Sequence, residues 1–570
     1  MIKSKGAIMK NQMNGAEAMV KMLEAYEVKH IFGLCGDTTL PFYDAMARLN
    51  HGMTHILTRD ERHAGYMADG YARVTGKPGI CEGPSGGGAT YILPALVEAG
   101  ESSIPIMAIT SDVATTSRGK YPLTELDQPA LFAPVTKWNS SLDQVNQLPA
   151  QMRTAFRAMT TGRPGSTHLA LPFDTQKAPI DADLIWADER HTMFPAQRQS
   201  APQTELEIMA RLLLAASQPV MICGGGPLLS GAMPEVARLA EMLNMPIATT
   251  VSGQGVIAET HPCAVGVVGS NGGVASTRAL VDAADLVLFV GCRAGSVTTE
   301  RWRSPTHDKT ILHIDSDPMV PGANYKTDAA IIADAKLALG GLIQAIEGHD
   351  HLPDFEGKAR AAAAWAAKWA EFEPLATSSQ MPITPEAVIH HLAAQCDDDA
   401  IVVADPGTPC PYVSAHYRWR RDGRVFISNR AHGALGFGMA AAMGAHIGNP
   451  SVKTVALMGD GSFGFCVGEF ETMTRYNMPI TSIVFSNAVY GWIKAGQKSG
   501  FGARYHNVDF SRTDHAAVAS AYGIKSWRVE NPADLPAVLS EALAHDGPTL
   551  IDVISQPLHE AAAPVSEWVA

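Results

Sequence analysis

At 570 residues the chain is too long for one ordinary core and predicts about three domains. Apolar residues make up 46% of it and the mean hydropathy is +0.01, the balance of a globular protein with ample core material. A net charge of −13 with no basic face argues against a nucleic-acid partner, and no apolar run reaches the length of a membrane span.

The eight cysteines stand at 35, 81, 223, 263, 292, 396, 410 and 466 with no Cys-x-x-Cys, which fits reduced thiols in a cytoplasm and supplies no zinc site. Residues 1–10 are short and basic without an apolar core or cleavage site, so no secretory leader is expected there.

From Gly15 onward helix-like and strand-like segments alternate, the pattern of a parallel sheet covered on both faces. Helices are expected over 16–26 and 40–49, strands over 30–34 and 54–58, the second strand ending just before Arg59-Asp60-Glu61. Small and aromatic residues at helical spacing follow over 64–74, then the glycine-rich turn Gly83-Pro84-Ser85-Gly86-Gly87-Gly88 and a buried strand over 104–110. The first domain closes near Leu169-Ala170-Leu171-Pro172, and a polar, proline-bearing connection runs over 174–203.

A second unit over 204–345 carries strands at 220–222, 286–290 and 311–314. An alanine-rich helix over 358–369 and a loop over 374–385 lead to the third, with a strand at 401–404 and a glycine-rich segment at 430–444.

In the third unit Val455-Ala456-Leu457-Met458 stops abruptly at Gly459-Asp460-Gly461; a helix is expected over 467–476 and a strand over 479–485, ending at Ser486-Asn487. A right-handed crossover sets two such strands side by side, so Asp460 and Asn487 emerge at one carboxyl edge, where open α/β sheets bind ligands. Mg²⁺ takes hard oxygens in near-octahedral array, one or two from carboxylate-type ligands and the rest from phosphate and water. An Asp, an Asn amide oxygen and a nearby carbonyl suit it, and flanking glycines let main-chain N–H groups approach a diphosphate. Gly-Asp-Gly by itself is also an ordinary turn.

Gly459-Asp460-Gly461 with Asn487 resembles the cofactor signature of thiamine diphosphate enzymes. The resemblance implies Mg²⁺ held by Asp460, Asn487 and the Val489 carbonyl, with Gly459, Gly461, Ser462, Tyr490 and Gly491 around the diphosphate. One departure is Ser486, where the family usually has a second Asn. Arg59-Asp60-Glu61 through Ala64-Gly65, Met67-Ala68 and Gly70-Tyr71-Ala72-Arg73 is similar, almost residue for residue, to the acetolactate synthase branch. There Glu61 is the catalytic carboxyl: protonating the aminopyrimidine ring nitrogen favours the imino tautomer that removes the cofactor's C2 proton. In Arg430-Ala431-His432-Gly433-Ala434-Leu435-Gly436-Phe437-Gly438, Leu435 matches the wedge that bends the cofactor and Gly433 its main-chain contact. Gly407 and Thr408 occupy the position of a diphosphate loop, although the family's Gln and His are absent from it.

The implied fold class is α/β with three doubly wound parallel-sheet domains: pyrimidine-binding over 10–175, middle over 200–345 and diphosphate-binding over 380–557. For the substrate pocket the resemblance singles out Asp37, His63, Gln128, Trp492 and Ile493. Acetolactate synthases carry Met at the Trp492 position and Trp at the Gly496 position, so this chain inverts the sizes. In the middle domain Gly224-Gly225-Gly226, Arg293, Asp315 and Asp317 fall where relatives hold FAD or ADP, but Ala294-Gly295-Ser296 replaces the residues that characterise FAD binders. The first expectation is a thiamine diphosphate- and Mg²⁺-dependent, acetolactate synthase-like carboligase on a small 2-oxoacid, acting as a cytoplasmic homodimer or homotetramer. Alternatives are a 2-hydroxyacyl-CoA lyase or oxalyl-CoA decarboxylase type, a simple 2-oxoacid decarboxylase, and a non-catalytic thiamine diphosphate-binding relative.

Overall fold

Runs such as Ile106–Asp112, Leu286–Val290 and Ile480–Ser486 are buried at essentially every position, as strands must be when helices cover both faces of a parallel sheet. The computed structural model describes residues 12–568, so the reading of residues 1–10 lies outside the described residues. It falls into two compact units, 1–197 and 198–570, the second holding two of the three sheets.

In the first unit β1 (Gln12–Asn14) pairs antiparallel with β8 (Pro179–Asp181). Between them β2 (His30–Gly33), β3 (Thr54–Leu57), β4 (Gly79–Gly83), β5 (Ile106–Asp112), β6 (Trp138–Ser141) and β7 (Thr167–Pro172) form a parallel sheet in the order β3-β2-β4-β5-β7-β6.

In the second unit β9 (Val220–Cys223), β10 (Ile247–Thr249), β11 (Ala264–Val267), β12 (Leu286–Val290), β13 (Thr310–Asp315) and β14 (Ala329–Ile332) are ordered β11-β10-β9-β12-β13-β14. The third sheet contains β15 (Ile401–Ala404), β16 (Phe426–Ser428), β17 (Thr454–Gly459), β18 (Ile480–Ser486), β19 (Lys525–Val529) and β20 (Thr549–Ile554), in the order β16-β15-β17-β18-β20-β19. These two sheets are also parallel throughout.

In each sheet the chain winds one way from its first strand and then crosses back past it, and the crevice outside the strand ends at such a point is where ligands enter an open α/β sheet. The reversals fall between β2 and β4, between β9 and β12, and between β15 and β17.

Three expected elements differ. The helix expected over 467–476 is Glu469–Arg475, and a separate short helix, Asp460–Cys466, precedes it directly after β17. The helix placed at 64–74 starts at Glu61 and runs to Thr75, since the Asp60 carboxylate caps it by accepting the Arg62 N–H at 2.8 Å. The loop expected from 374 is helix to Ala376, Pro374 being carried inside Gly357–Ala376. Among the described residues no helix is long and apolar enough to cross a membrane.

At the second reversal the glycines serve the packing of the backbone. A Cβ on Gly224 would lie 2.1 Å from the Gly291 carbonyl oxygen, and one on Gly226 2.6 Å from the Gly291 Cα. Gly224→Ala is therefore expected to cost about 1–3 kcal/mol, read as a lower urea midpoint at unchanged slope.

Candidate active site

β17 and β18 lie side by side in parallel, with Gly459 opposite Phe485, so Asp460 and Asn487 leave adjacent strands at the same edge. Asp460 opens the helix Asp460–Cys466 and is 6% exposed. Its Oδ1 accepts the Gly461 N–H at 2.8 Å; its Oδ2 accepts those of Asn487 and Ala488 at 2.7 and 2.6 Å. Burial pushes the Asp460 carboxyl above its ordinary range, while those three N–H groups and His515 pull it back.

The Asn487 amide nitrogen is buried without a hydrogen-bond partner, so the fold does not consume this side chain. The ladder bonds beside it are made by Ala488, whose carbonyl accepts from Phe510, and by Tyr490, whose N–H donates to Val508; Val489 lies between the two. Asp460, Asn487 and the Val489 carbonyl thus fit a Mg²⁺ that takes its remaining ligands from a diphosphate and water. Among the described residues no cluster of three His, Cys, Asp or Glu side chains offers an all-protein cage.

Glycines keep this edge open. A Cβ on Gly459 would meet nothing within 4 Å, and Gly407 and Gly433, at φ +101° and +71°, are equally clear. Gly461 lies under the Tyr490 ring, where a Cβ would come within 2.8 Å of Cε1. Leu435 is half-buried between Gly433 and Gly436, both in the left-handed region, and the Asn429 amide holds the turn by donating to the Ala434 carbonyl at 2.7 Å.

The sequence reading missed Asp405, the first residue after β15 at the same reversal. It is fully buried, and its Oδ2 accepts from the Gly438 N–H at 3.0 Å and the Ser462 hydroxyl at 2.5 Å; Ser462 Oγ in turn accepts from the Gly436 N–H at 2.8 Å. One carboxylate thereby joins the glycine-rich segment to the Asp460 turn. An acid directly after a buried strand, ahead of a Pro-Gly, was the available signal. Ser486, where a second Asn was usual, is engaged instead by His515 Nδ1 at 3.0 Å, and Asp552 holds that histidine. Thr408 is buried, as is Cys410, whose sulfur accepts from the Ser428 hydroxyl.

In the first unit Glu61 is 7% exposed at the start of its helix. Its side chain rests on two glycines: a Cβ on Gly83 would stand 3.2 Å from the Glu61 Cγ, and one on Gly88 2.9 Å from Oε1. Burial raises the Glu61 carboxyl above the ordinary glutamate range, with the charges of Asp60 and Glu82 adding to the effect and a backbone N–H opposing it. A carboxyl held toward its protonated form, beside glycines that leave space, fits the family's partner for a ring nitrogen.

Much of the surrounding motif is structural. Gly65 admits Ala95, since a Cβ there would come within 2.3 Å of the Ala95 Cβ, and Arg73 pairs with the buried Asp69.

Of the proposed pocket residues, Asp37 is exposed at the edge beyond β2, its carboxylate accepting the Thr38 N–H at 2.8 Å. His63 is 3% exposed, and Gln128 is fully buried, accepting from Thr110 and donating to the Ser111 carbonyl at 2.8 Å. Ile493 is 55% exposed, whereas Trp492 lies against the core with its ring 5.1 Å from that of Trp568. The Trp568 carbonyl also lies 3.5 Å from where a Gly496 Cβ would be. The tail beyond Pro557 thus brings the Trp568 backbone beside Gly496 and its indole against Trp492, a placement that no local pattern announces.

The chain matches the N-terminal TPP binding domain of thiamine pyrophosphate enzymes over residues 13–131, their central domain over 206–342 and their C-terminal TPP binding domain over 405–553. It is 35% identical to a probable acetolactate synthase large subunit of Methanococcus aeolicus, over 96% of this chain and 92% of that one. The chain belongs to the thiamine diphosphate enzyme family, in its acetolactate synthase-like branch. It is 33% identical to the corresponding protein of Methanocaldococcus jannaschii, over 96% of this chain and 92% of that relative. It is 29% identical to acetolactate synthase isozyme 1 large subunit of Escherichia coli, over 95% of this chain and 94% of that relative. Membership makes it a thiamine diphosphate-dependent enzyme, and the three parallel sheets are the three domains of that family.

Proposed function

We propose that the protein is a Mg²⁺- and thiamine diphosphate-dependent carboligase that decarboxylates a small 2-oxoacid and joins the remaining fragment to a second carbonyl compound. The observation that carries the cofactor reading is the pairing of Asp460 and Asn487 at adjacent strand ends, with an Asn487 amide that the fold leaves unused. The carboligase reading rests on relatives named acetolactate synthase across nearly their whole length.

Thiamine diphosphate, when bound, would supply a nucleophilic carbon to attack a carbonyl and a cationic ring to take up the electrons released by loss of carbon dioxide. The protein's residues do the rest. Asp460, Asn487 and the Val489 carbonyl hold the metal, and Gly407, Thr408, Gly459, Gly461, Ser462, Tyr490 and Gly491 surround the diphosphate. Leu435 and the Gly433 main chain set the cofactor's bend, and Glu61 holds the proton on its ring nitrogen. For the substrate pocket we keep Asp37, His63, Gln128, Trp492 and Ile493, of which Asp37 and Ile493 are exposed. In this family Glu61 and the metal-holding residues of one site come from different subunits, so the working enzyme is at least a homodimer, and its scattered cysteines support a cytoplasmic reading. For FAD or ADP in the middle domain only Arg293, Asp315 and Asp317 speak, since Gly224 and Gly226 already serve backbone packing.

The test is an NMR time course of protein with thiamine diphosphate, Mg²⁺ and pyruvate. Acetolactate is expected; acetaldehyde would put a simple decarboxylase first, and no reaction from cofactor-loaded protein would eliminate pyruvate chemistry and turn attention to acyl-CoA substrates.

A further inference from the structure

Strand β4, inside the first sheet, carries an acid that a buried strand does not need for its own packing. Glu82 is 2% exposed, and its side chain lies across β2: Gly33 stands opposite it in the register, and a Cβ there would fall 2.0 Å from Glu82 Oε1. Two groups from separate elements converge on that one oxygen. The Tyr43 hydroxyl, on the helix Leu40–Arg48, donates to it at 2.6 Å; His55 Nε2, on β3, stands 3.0 Å from it and 3.1 Å from the Tyr43 hydroxyl. The other oxygen, Oε2, is buried and has no hydrogen-bond partner among the described residues. Burying a carboxyl is costly, and this one is only half compensated by its surroundings.

The next residue along the strand is Gly83, the glycine against which Glu61 rests. Two acids therefore share one corner of the sheet, at the reversal between β2 and β4. The other titratable groups there are few. Asp60, at the start of the Glu61 helix, is paired with Arg62 at 2.8 Å. Burial and the Glu82 charge push the Tyr43 phenol well above its ordinary value, and burial does the same to the Cys81 thiol, so both keep their protons. Cys35, beyond the end of β2, is exposed and acts on Tyr43. His55 is the neighbour of Glu82 able to carry positive charge.

When two acids stand this close, the one better supplied with donors holds the charge and its neighbour holds the proton. Glu82 has the Tyr43 hydroxyl and the His55 ring; Glu61 has a backbone N–H and a recess lined by Gly83 and Gly88. We propose that Glu82 is a positioning residue for the reaction: fixed by Tyr43 and His55, its negative charge keeps the proton on Glu61. The inference rests on the role proposed for Glu61, and no role assigned above uses Glu82, Tyr43 or His55.

The test reads one coupling twice. In cofactor-free protein, thermal melts near neutral pH compare the effect of Glu61→Gln in the native chain and in Glu82→Gln. Ionised Glu61 costs stability because its folded pKa is raised, and less of that cost remains once the Glu82 charge is gone. The Tm gain of Glu61→Gln should therefore be smaller by about 2 °C or more in the Glu82→Gln background. In protein loaded with thiamine diphosphate and Mg²⁺, the alkaline limb of kcat/KM for pyruvate should move down by about one pH unit in Glu82→Gln and hold its place in Glu82→Asp, which keeps the charge. Should Glu82→Gln fail to fold, the pair Tyr43→Phe and Glu82→Met removes donor, acceptor and charge together and serves in its place. Equal Tm gains in the two backgrounds would overturn the proposal. So would a lowered rate with an unmoved limb, the mark of a merely structural role, or a limb that moves equally in Glu82→Asp. Coupled melts in a protein that turns over no pyruvate would support the hold of Glu82 on Glu61 and count only against the reaction proposed for the site.

Discussion

Replacing Glu61 with Gln is expected to lower turnover about 10²–10⁴-fold, the usual contribution of a positioned proton-transfer group, while leaving the fold as stable as before or more so. The two effects share one cause. Burial holds the Glu61 carboxyl above its ordinary range, so at neutral pH ionised Glu61 costs folding free energy that a neutral amide does not. The sign follows: a group whose folded pKa is raised gives its stability below the unfolded value and loses it as pH rises through the folded one. The Tm gain of Glu61→Gln should therefore be present near neutral pH and fade toward the ordinary glutamate pKa, where Glu61 is protonated in both states. Steady-state rates and a Tm-against-pH series check this together; full turnover in the variant would remove Glu61 from the chemistry.

The second large effect is at Asp460. Asp460→Ala should weaken Mg²⁺-dependent cofactor binding by at least about 100-fold, because a hard cation loses its only charged protein ligand. It should also destabilise the cofactor-free chain by about 1–3 kcal/mol, since the N–H groups of Gly461, Asn487 and Ala488 lose the carboxylate that accepts all three. Asp460→Asn separates the two roles. It keeps one acceptor oxygen and should recover part of the stability while binding Mg²⁺ no better than the Ala variant. Fluorescence titration with thiamine diphosphate and thermal melts read the two quantities independently; an Asn variant with native metal affinity would exclude Asp460 as a ligand.

The parts of the site that were legible in the sequence are local. Strand, turn and acid are contiguous at Val455 to Asp460 and again at Ile480 to Asn487, and a buried parallel strand announces itself as an unbroken apolar run. Glu61 was legible for the same reason, lying within a long contiguous motif just after β3. Gln128 and His63 were assigned to the pocket from motif position; that both are buried, with Gln128 bonded to Thr110, was not legible there.

What the sequence by itself determined is the class of fold, the order of its domains and the two carboxylates proposed to carry the chemistry, because each is written in residues adjacent along the chain. Only the tertiary structure decided what Asp405 and Trp568 do. Asp405 bonds to residues 33 and 57 positions away, and the tail tryptophan reaches Trp492 from the far end of its unit. Burial and hydrogen bonding are properties of what surrounds a side chain, and for these groups the surroundings come from distant segments that no local pattern names.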